Sequence, residues 1–303
     1  MAAEPLVVAA ATDAGQKRER NEDAYGYRFT PYGGVFVVAD GMGGHVHGDL
    51  AARIAVDTIV TQLTQTTPSP AALGEALEEA NRRIYQAARD RRREGMGTTA
   101  TALVVDFPFA LIGHVGDSRA YLYRSGLLMQ LTQDHSWVAD RVREGLLRPE
   151  EARSHRWRNV ITNALGTFPE VDVDLLGLRL KPGDLILLST DGLHGVVGED
   201  AIARVLSEAP PEYAVKRLVE LANAWGGPDN ITVMAVQAKE IPTSEDKPYA
   251  LLLSGDQPVY IRARSGDTRP IKAARQGRLR TSELVLLLLW LGLLVYVLLS
   301  QRP

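Results

Sequence analysis

Apolar positions along the first 240 residues recur with two periods. Leu73, Leu77, Ala80, Ile84 and Ala87 are spaced by four, three, four and three residues, which aligns them on one face of a helix. Leu50, Ile54, Ala55 and Ile59 repeat the pattern, as do Ala214, Leu218, Leu221 and Trp225, so three half-buried helices are predicted. Between them lie short apolar runs of strand length at 35–39, 98–105, 110–115, 120–123, 185–189 and 231–236. Several are joined by connections too short to hold a crossover helix, which requires antiparallel neighbours. The segment 1–11 has Glu4 ahead of a short apolar run and no Lys or Arg, so it predicts a first strand rather than a secretory signal. Runs of strands with helices inserted in pairs point to an α+β layered sandwich, not to alternating β-α units.

A different pattern governs the C-terminal end. Residues 284–299, LVLLLLWLGLLVYVLL, form an uncharged run of 16 residues. At about 1.5 Å per residue it spans roughly 24 Å as a helix, a little short of a ~30 Å hydrocarbon core, a mismatch that bilayer thinning absorbs. A buried or partner-binding helix is the competing reading. No charge interrupts any face, however, and Arg262, Arg264, Arg269, Lys272, Arg275, Arg278 and Arg280 precede the run, so we expect one membrane span with everything before it cytoplasmic. Residues 241–283 mix Pro, Gly, Ser and charge as a largely flexible linker does, although 249–253 and 259–261 could add a short hairpin. The expected organisation is a folded domain over 1–240, a basic linker over 241–283 and a transmembrane helix over 284–299.

Composition narrows the function. The 303 residues are 45% hydrophobic and 23% charged, enough for a large core. From 241 onward nine basic residues face five acidic ones, a net of +4 against −3 for the whole chain, so the first 240 residues are acidic. That balance disfavours nucleic acid as a partner. The absence of cysteine removes disulfides, thiolate nucleophiles and cysteine-ligated zinc.

The candidate chemistry lies at the strand ends. Three apolar runs finish on Asp40-Gly41, Asp117-Ser118 and Asp191-Gly192, and Asp229 stands just before the last run. Asp-Gly is a common turn pair. Four such aspartates at strand ends are harder to assign to turns alone, because in an antiparallel sheet these ends lie side by side. Carboxylates gathered in one place must protonate, pair, or hold a cation, and an all-oxygen donor set selects a hard one: Mg²⁺, Mn²⁺ or Ca²⁺. Gly41 would let the backbone carbonyl approach as a further ligand. Arg18, with a planar fork of donors suited to phosphate, precedes the acidic pair Glu22-Asp23; the alternative for this charged stretch is a solvated surface.

Taken in order, Asp13…Arg18…Asn21-Glu22-Asp23, Val38-Ala-Asp-Gly-Met-Gly-Gly-His45, Gly97-Thr-Thr-Ala100, Gly116-Asp-Ser-Arg119, Leu131-Thr-Gln-Asp-His-Ser-Trp137, Ile161-Thr-Asn-Ala-Leu-Gly166, Ser189-Thr-Asp-Gly-Leu193 and Gly227-Pro-Asp-Asn-Ile-Thr232 resemble the metal-dependent type 2C protein phosphatases, the PPM family, in their bacterial form. The resemblance implies a four-layer α/β/β/α sandwich of two antiparallel sheets with a two-metal site at one end. It implies that Asp40 bridges two Mn²⁺ or Mg²⁺ ions, that the Gly41 carbonyl joins one, and that Asp191 and Asp229 hold the other. Glu22 and Asp23 would act through water, Asp117 would help hold a third ion, and Arg18 would contact the substrate phosphate. The implied activity is hydrolysis of phosphoserine and phosphothreonine on proteins by metal-activated water, with a membrane Ser/Thr kinase among the expected partners.

The chain departs from the family pattern at two positions. Met42 stands where many eukaryotic relatives carry a histidine proposed to protonate the leaving group, which leaves the general acid open, and Gly195 stands where an aspartate is frequent. Residues 137–159, rich in Arg and Glu, correspond to the family's variable flap; they would either select phosphopeptides by charge or form a solvated surface. His45 and His47 lack other soft ligands nearby, so a structural or surface role is expected for them, and His114 in its apolar run reads as a hydrogen-bonded core residue. The rival from another class is a catalytically silent phosphoprotein- or kinase-binding module, against which the intact carboxylates argue.

Overall fold

A computed structural model of the chain describes residues 5–43, 47–90, 93–242, 247–250, 252–253, 255, 257–261 and 273–274. The elements run β1 (Leu6–Asp13), β2 (Ala24–Thr30), β3 (Gly33–Ala39), β4 (Gly41–Met42), α1 (Gly48–Gln65), α2 (Pro70–Ala87), β5 (Gly97–Thr98), β6 (Ala100–Asp106), β7 (Phe109–Val115), β8 (Arg119–Arg124) and β9 (Leu127–Gln130). They continue with α3 (Trp137–Arg143), α4 (Pro149–Ser154), β10 (Asp174–Arg179), β11 (Leu185–Ser189), α5 (Asp191–His194), α6 (Glu199–Glu208), α7 (Pro211–Ala224), β12 (Ile231–Ala238), β13 (Val259–Ile261) and β14 (Ala273–Ala274). One sheet has the order β1-β12-β11-β8-β9, the other β14-β13-β10-β7-β6-β3-β2, and the β4–β5 pair stands apart. All pairings are antiparallel.

Period-two alternation assigns each strand face to a layer. On β3, Phe36 and Val38 join Leu103, Ile112, Leu122, Ile186, Leu188 and Met234 in the core between the sheets. Val35, Val37 and Ala39 turn the other way and meet Ala55, Ile59, Leu73, Leu77 and Ile84 of α1 and α2. Outward from the second sheet, Leu187, Val233 and Ala235 pack on Ile202, Ala214 and Leu218 of α6 and α7. Strands buried on both faces read as continuous apolar runs, which is why they were legible. The start of α2 is fixed locally: Ser69 accepts from the Ala72 amide at 3.1 Å, and Pro70, with its preset φ, opens the helix. Two antiparallel sheets flanked by helices are the expected arrangement.

Three details differ from the sequence expectation. The run 98–105 is broken at Thr99, because Thr98 leaves the large sheet to pair with Gly41. Packing on the sandwich continues past residue 240. Lys247 Nζ reaches Asp106 at 2.5 Å, Tyr249 is buried, and Leu253 is fully buried against Gly177. Among the described residues, 249–253 and 259–261 do not pair with each other; β13 extends the sheet at β10, pairing Leu175 with Ile261 and Gly177 with Val259, and β14 pairs with β13 in turn. An open strand edge is a ready template, and Gly177 leaves the space that Leu253 fills. Among the described residues no helix is long and apolar enough to cross a membrane, and the run 284–299 lies outside them.

Candidate metal centre

The two sheets deliver their strand ends to one rim of the sandwich. Asp40 follows β3, Asp117 lies two residues past β7, Asp191 opens α5 just past β11, and Asp229 lies two residues ahead of β12. Asp23 sits just before β2. Their convergence shows in their electrostatics. Burial lifts the Asp40 carboxyl well above the usual carboxylate range, and Asp23, Asp191, Asp117 and Asp229 each push it further. Asp191 is pushed up to about 6 by burial and by Asp229, opposed by a hydrogen bond with Asp40. Asp23 is raised to about 7 by burial, with the Thr232 and Thr190 hydroxyls opposing. Asp117, 7% exposed, is raised by burial and then by Asp191 and Asp134.

Short-range structure fixes each of these groups. The break at Thr99 serves Asp40: its carbonyl accepts from the Thr99 amide at 2.9 Å and the Thr98 hydroxyl at 2.8 Å, while its amide donates to Thr99 Oγ1 at 2.9 Å. With both backbone groups held, the carboxylate direction is set by χ angles alone. Gly41 is wedged against the Gly48 and Glu22 carbonyls, where a Cβ would collide with both, so only glycine permits this approach of three backbones. Thr190 donates to Asp23 Oδ2 at 2.8 Å, tying β11 to the N-terminal loop. Asn230 completes the frame: it accepts from the Glu22 amide at 2.8 Å and donates to the carbonyls of Ala14 and Arg20 at 2.9 and 2.8 Å. Asp13 acts as a turn anchor, accepting from the Gly15 amide at 2.8 Å and from Asn223 at 3.1 Å.

The donor set fits a hard cation. Asp23 Oδ1, Asp117 Oδ1 and Asp191 Oδ1 are buried without a hydrogen-bond partner, a costly condition for carboxylate oxygens and one that a cation relieves. Among the described residues no three acidic or histidine side chains already close into a ligand cage. Arg18, assigned by resemblance to phosphate, here donates to Asp229 Oδ2 at 2.8 Å, and its side chain is 54% exposed at the mouth of the site. Its guanidinium also feels Asp40 and Asp191. Glu22 places Oε2 beside Gly48 at the start of α1. All eight residues singled out in the sequence therefore lie around one rim.

Several framing residues escaped the sequence reading. Thr98, Thr99, Thr190 and Asn230 were visible only as parts of motifs, and nothing in their spacing gave them a task. His135 is another. Its Nδ1 accepts from the Gly116 amide at 3.2 Å and from Asn163 Nδ2 at 3.0 Å, so Nε2 carries the proton and donates to Asp174 at 3.0 Å. His114 is fully buried between Thr101 and the Gln133 carbonyl, a core residue as its setting predicted. His47 directly precedes α1, whereas His45 lies outside the described residues. Met42 rests against Gly97.

The flap residues 137–159 contain α3 and α4, and His135, just ahead of them, accepts from the Gly116 amide next to Asp117. Trp137, His155 and Trp157 form an aromatic knot, with Trp137 and His155 stacked at 4.9 Å and Arg156 over Trp157 at 4.5 Å. Its two ends are drawn together, with the Trp137 amide on the Val160 carbonyl at 2.8 Å and the Thr162 amide on the His135 carbonyl at 2.9 Å.

Comparison with known proteins agrees with this geometry. The family profile described as protein phosphatase 2C matches residues 12–221. A putative protein phosphatase 2C-type from Streptococcus pyogenes is 37% identical over 234 residues, covering 74% of this chain and 94% of its own. Among solved structures, the Mycobacterium tuberculosis serine/threonine phosphatase PstP/Ppp superposes with a TM-score of 0.72 at 36% identity, covering 78% of this chain and 99% of its own. The catalytic domain of the serine/threonine protein phosphatase PstP in complex with two manganese ions superposes with a TM-score of 0.69 at 35% identity, covering 77% and 97%.

Proposed function

Since the chain belongs to the protein phosphatase 2C family, we propose that it is a protein serine/threonine phosphatase dependent on Mn²⁺ or Mg²⁺. The observation that carries this reading is the convergence of five aspartates on one rim with three buried carboxylate oxygens left without partners. Asp40, Asp191 and Asp229, with the Gly41 carbonyl, would hold two ions; Glu22 and Asp23 would act through water, and Asp117 would help hold a third. When bound, such ions neutralise phosphate charge and activate water for in-line attack on phosphorus.

The chain's own residues do the rest. The clamp on the Asp40 backbone and the Thr190–Asp23 bond hold the carboxylates in place before substrate arrives, so little reorganisation accompanies the reaction. Arg18 stands at the mouth with donors beyond the one it spends on Asp229, able to orient a phosphate and meet charge developing on its oxygens. No side-chain nucleophile is needed. Met42, next to Gly41, carries no proton to give, so leaving-group protonation falls to another group.

Substrates are phosphoserine and phosphothreonine proteins, reached from a membrane anchor supplied by 284–299, with a membrane Ser/Thr kinase as a partner. Support for the anchor is the uncharged run and the basic residues before it. The deciding experiment is phosphate release from a phosphothreonine peptide with Mn²⁺ and with EDTA, for the wild-type chain and for Asp40→Asn and Asp191→Asn. Turnover that needs Mn²⁺ and collapses in both variants is expected; turnover that survives either substitution rejects the site.

A further inference from the structure

We infer that Lys247, Tyr249, Leu253 and β13 form a strap that holds the base of the flap, with Tyr260 as a positioning residue for protein substrates. The inference rests on the phosphatase reading for its kinetic consequence, though not for its structural one. These residues lie beyond the stretch 12–221 that matches the family profile.

The strap is fastened at two places. At the end of the sandwich away from the acidic rim, Asp106 is 1% exposed and receives both the Lys247 ammonium, at 2.5 Å, and the Tyr249 hydroxyl. The Tyr249 ring meets Phe109 edge-on at 5.6 Å, and Leu253 fills the space over Gly177. An ammonium, a hydroxyl and an apolar plug all matched to one surface are the marks of a built contact, not of a chain lying on it.

The second fastening bears on the flap. β13 pairs with Leu175, Leu176 and Gly177, one residue from Asp174, and the Tyr260 hydroxyl donates to the Leu131 carbonyl at 2.5 Å. Leu131 begins the segment that leads through Thr132, Gln133 and Asp134 to His135. Asp174 accepts a hydrogen bond from His135 Nε2, while His135 Nδ1 accepts from the Gly116 amide next to Asp117 and from the Asn163 side-chain amide at the far end of the flap. The strap thus grips both chains that meet at His135, one through Tyr260 and the other through β10. Through His135 it reaches both flap ends, which close on that residue. Undocking it loosens the flap base while leaving β3, β11 and β12, which carry Asp40, Asp191 and Asp229, in their sheets. A protein substrate that lies along the flap feels this; a small aryl phosphate does not.

The test uses the full chain with Tyr260→Phe, which keeps the ring, and Leu253→Ala, which empties the space over Gly177; Leu253→Met refills it. Hydrogen exchange is followed at residues 131–136 and 160–163, beside Mn²⁺-dependent turnover of a phosphothreonine peptide and of p-nitrophenyl phosphate. Both strap variants should exchange about tenfold faster at these amides, because a lost hydrogen bond in one and a lost apolar plug in the other each ease local opening. The KM for the peptide should rise about three- to tenfold, with aryl phosphate turnover within about twofold of wild type and Leu253→Met restoring both readouts. Unchanged exchange at the flap base in both variants overturns the strap, as does an equal decline on the two substrates. Lack of turnover in the wild-type chain would sink the phosphatase reading instead, with exchange still deciding the strap.

Discussion

Strand β6 joins two regions of the sandwich that treat buried aspartates in opposite ways. At its far end Asp106 is enclosed with a matched cation and a hydroxyl, and every charge there has an answer. At its near end Thr99 clamps Asp40 into a group of carboxylates that raise one another's pKa and leave three oxygens without partners. The same side chain in the same sheet is a fastening in one place and a binding site in the other. Partners, not residue type, decide which, and each region should respond to mutation accordingly.

The sharpest test is to remove one carboxylate from each end. At the rim, Asp191→Asn should lower Mn²⁺-dependent turnover about 10³-fold, roughly 4 kcal/mol of barrier. Without divalent ions the same variant should melt no lower than wild type, because a repelling charge has left the cluster. At the other end, Asp106→Asn should cost about 3 kcal/mol of stability, since it strands the half-buried Lys247 ammonium beside a site that is itself enclosed. Aryl phosphate turnover per folded molecule should hold. Calorimetric melting with and without Mn²⁺, run beside a phosphate assay, reads both halves; stability falling equally in the two variants would erase the distinction.

The two ends also differed in how far the sequence announced them. Strand ends carrying Asp40, Asp117 and Asp191 were legible because buried strands are continuous apolar runs whose last residue is easy to place. Helices α1, α2 and α7 were legible by period. Asp106 was hidden: an acidic residue ending an apolar run looks like a turn, and its partners stand 141 and 143 residues away. Asn230 and Thr190 were hidden for a similar reason, since their work consists of hydrogen bonds to distant backbone that no local pattern encodes. The place of β13 is hidden because three residues carry no period; its pairing with β10 on one side and β14 on the other joins distant stretches of chain.

Arg18 offers the smallest effect and the finest distinction. At the rim Arg18 pairs with Asp229, yet its side chain is 54% exposed, whereas Lys247, a cation at the other end, is 19% exposed. An exposed ion pair contributes about 0–1 kcal/mol to stability. Arg18→Ala should therefore leave the melting temperature within a few degrees of wild type while Lys247→Ala lowers it clearly. If the guanidinium orients phosphate, its loss should appear in function instead, as a fall of about tenfold in kcat/KM for a phosphothreonine peptide, or roughly 1.4 kcal/mol. Arg18→Lys keeps the charge without the planar fork, so it should recover only part of that loss. Full recovery by lysine would reduce the contribution to charge alone. No loss in Arg18→Ala would leave the residue as a partner of Asp229 and nothing more, making the rim's cation as purely structural as the one that fastens Asp106.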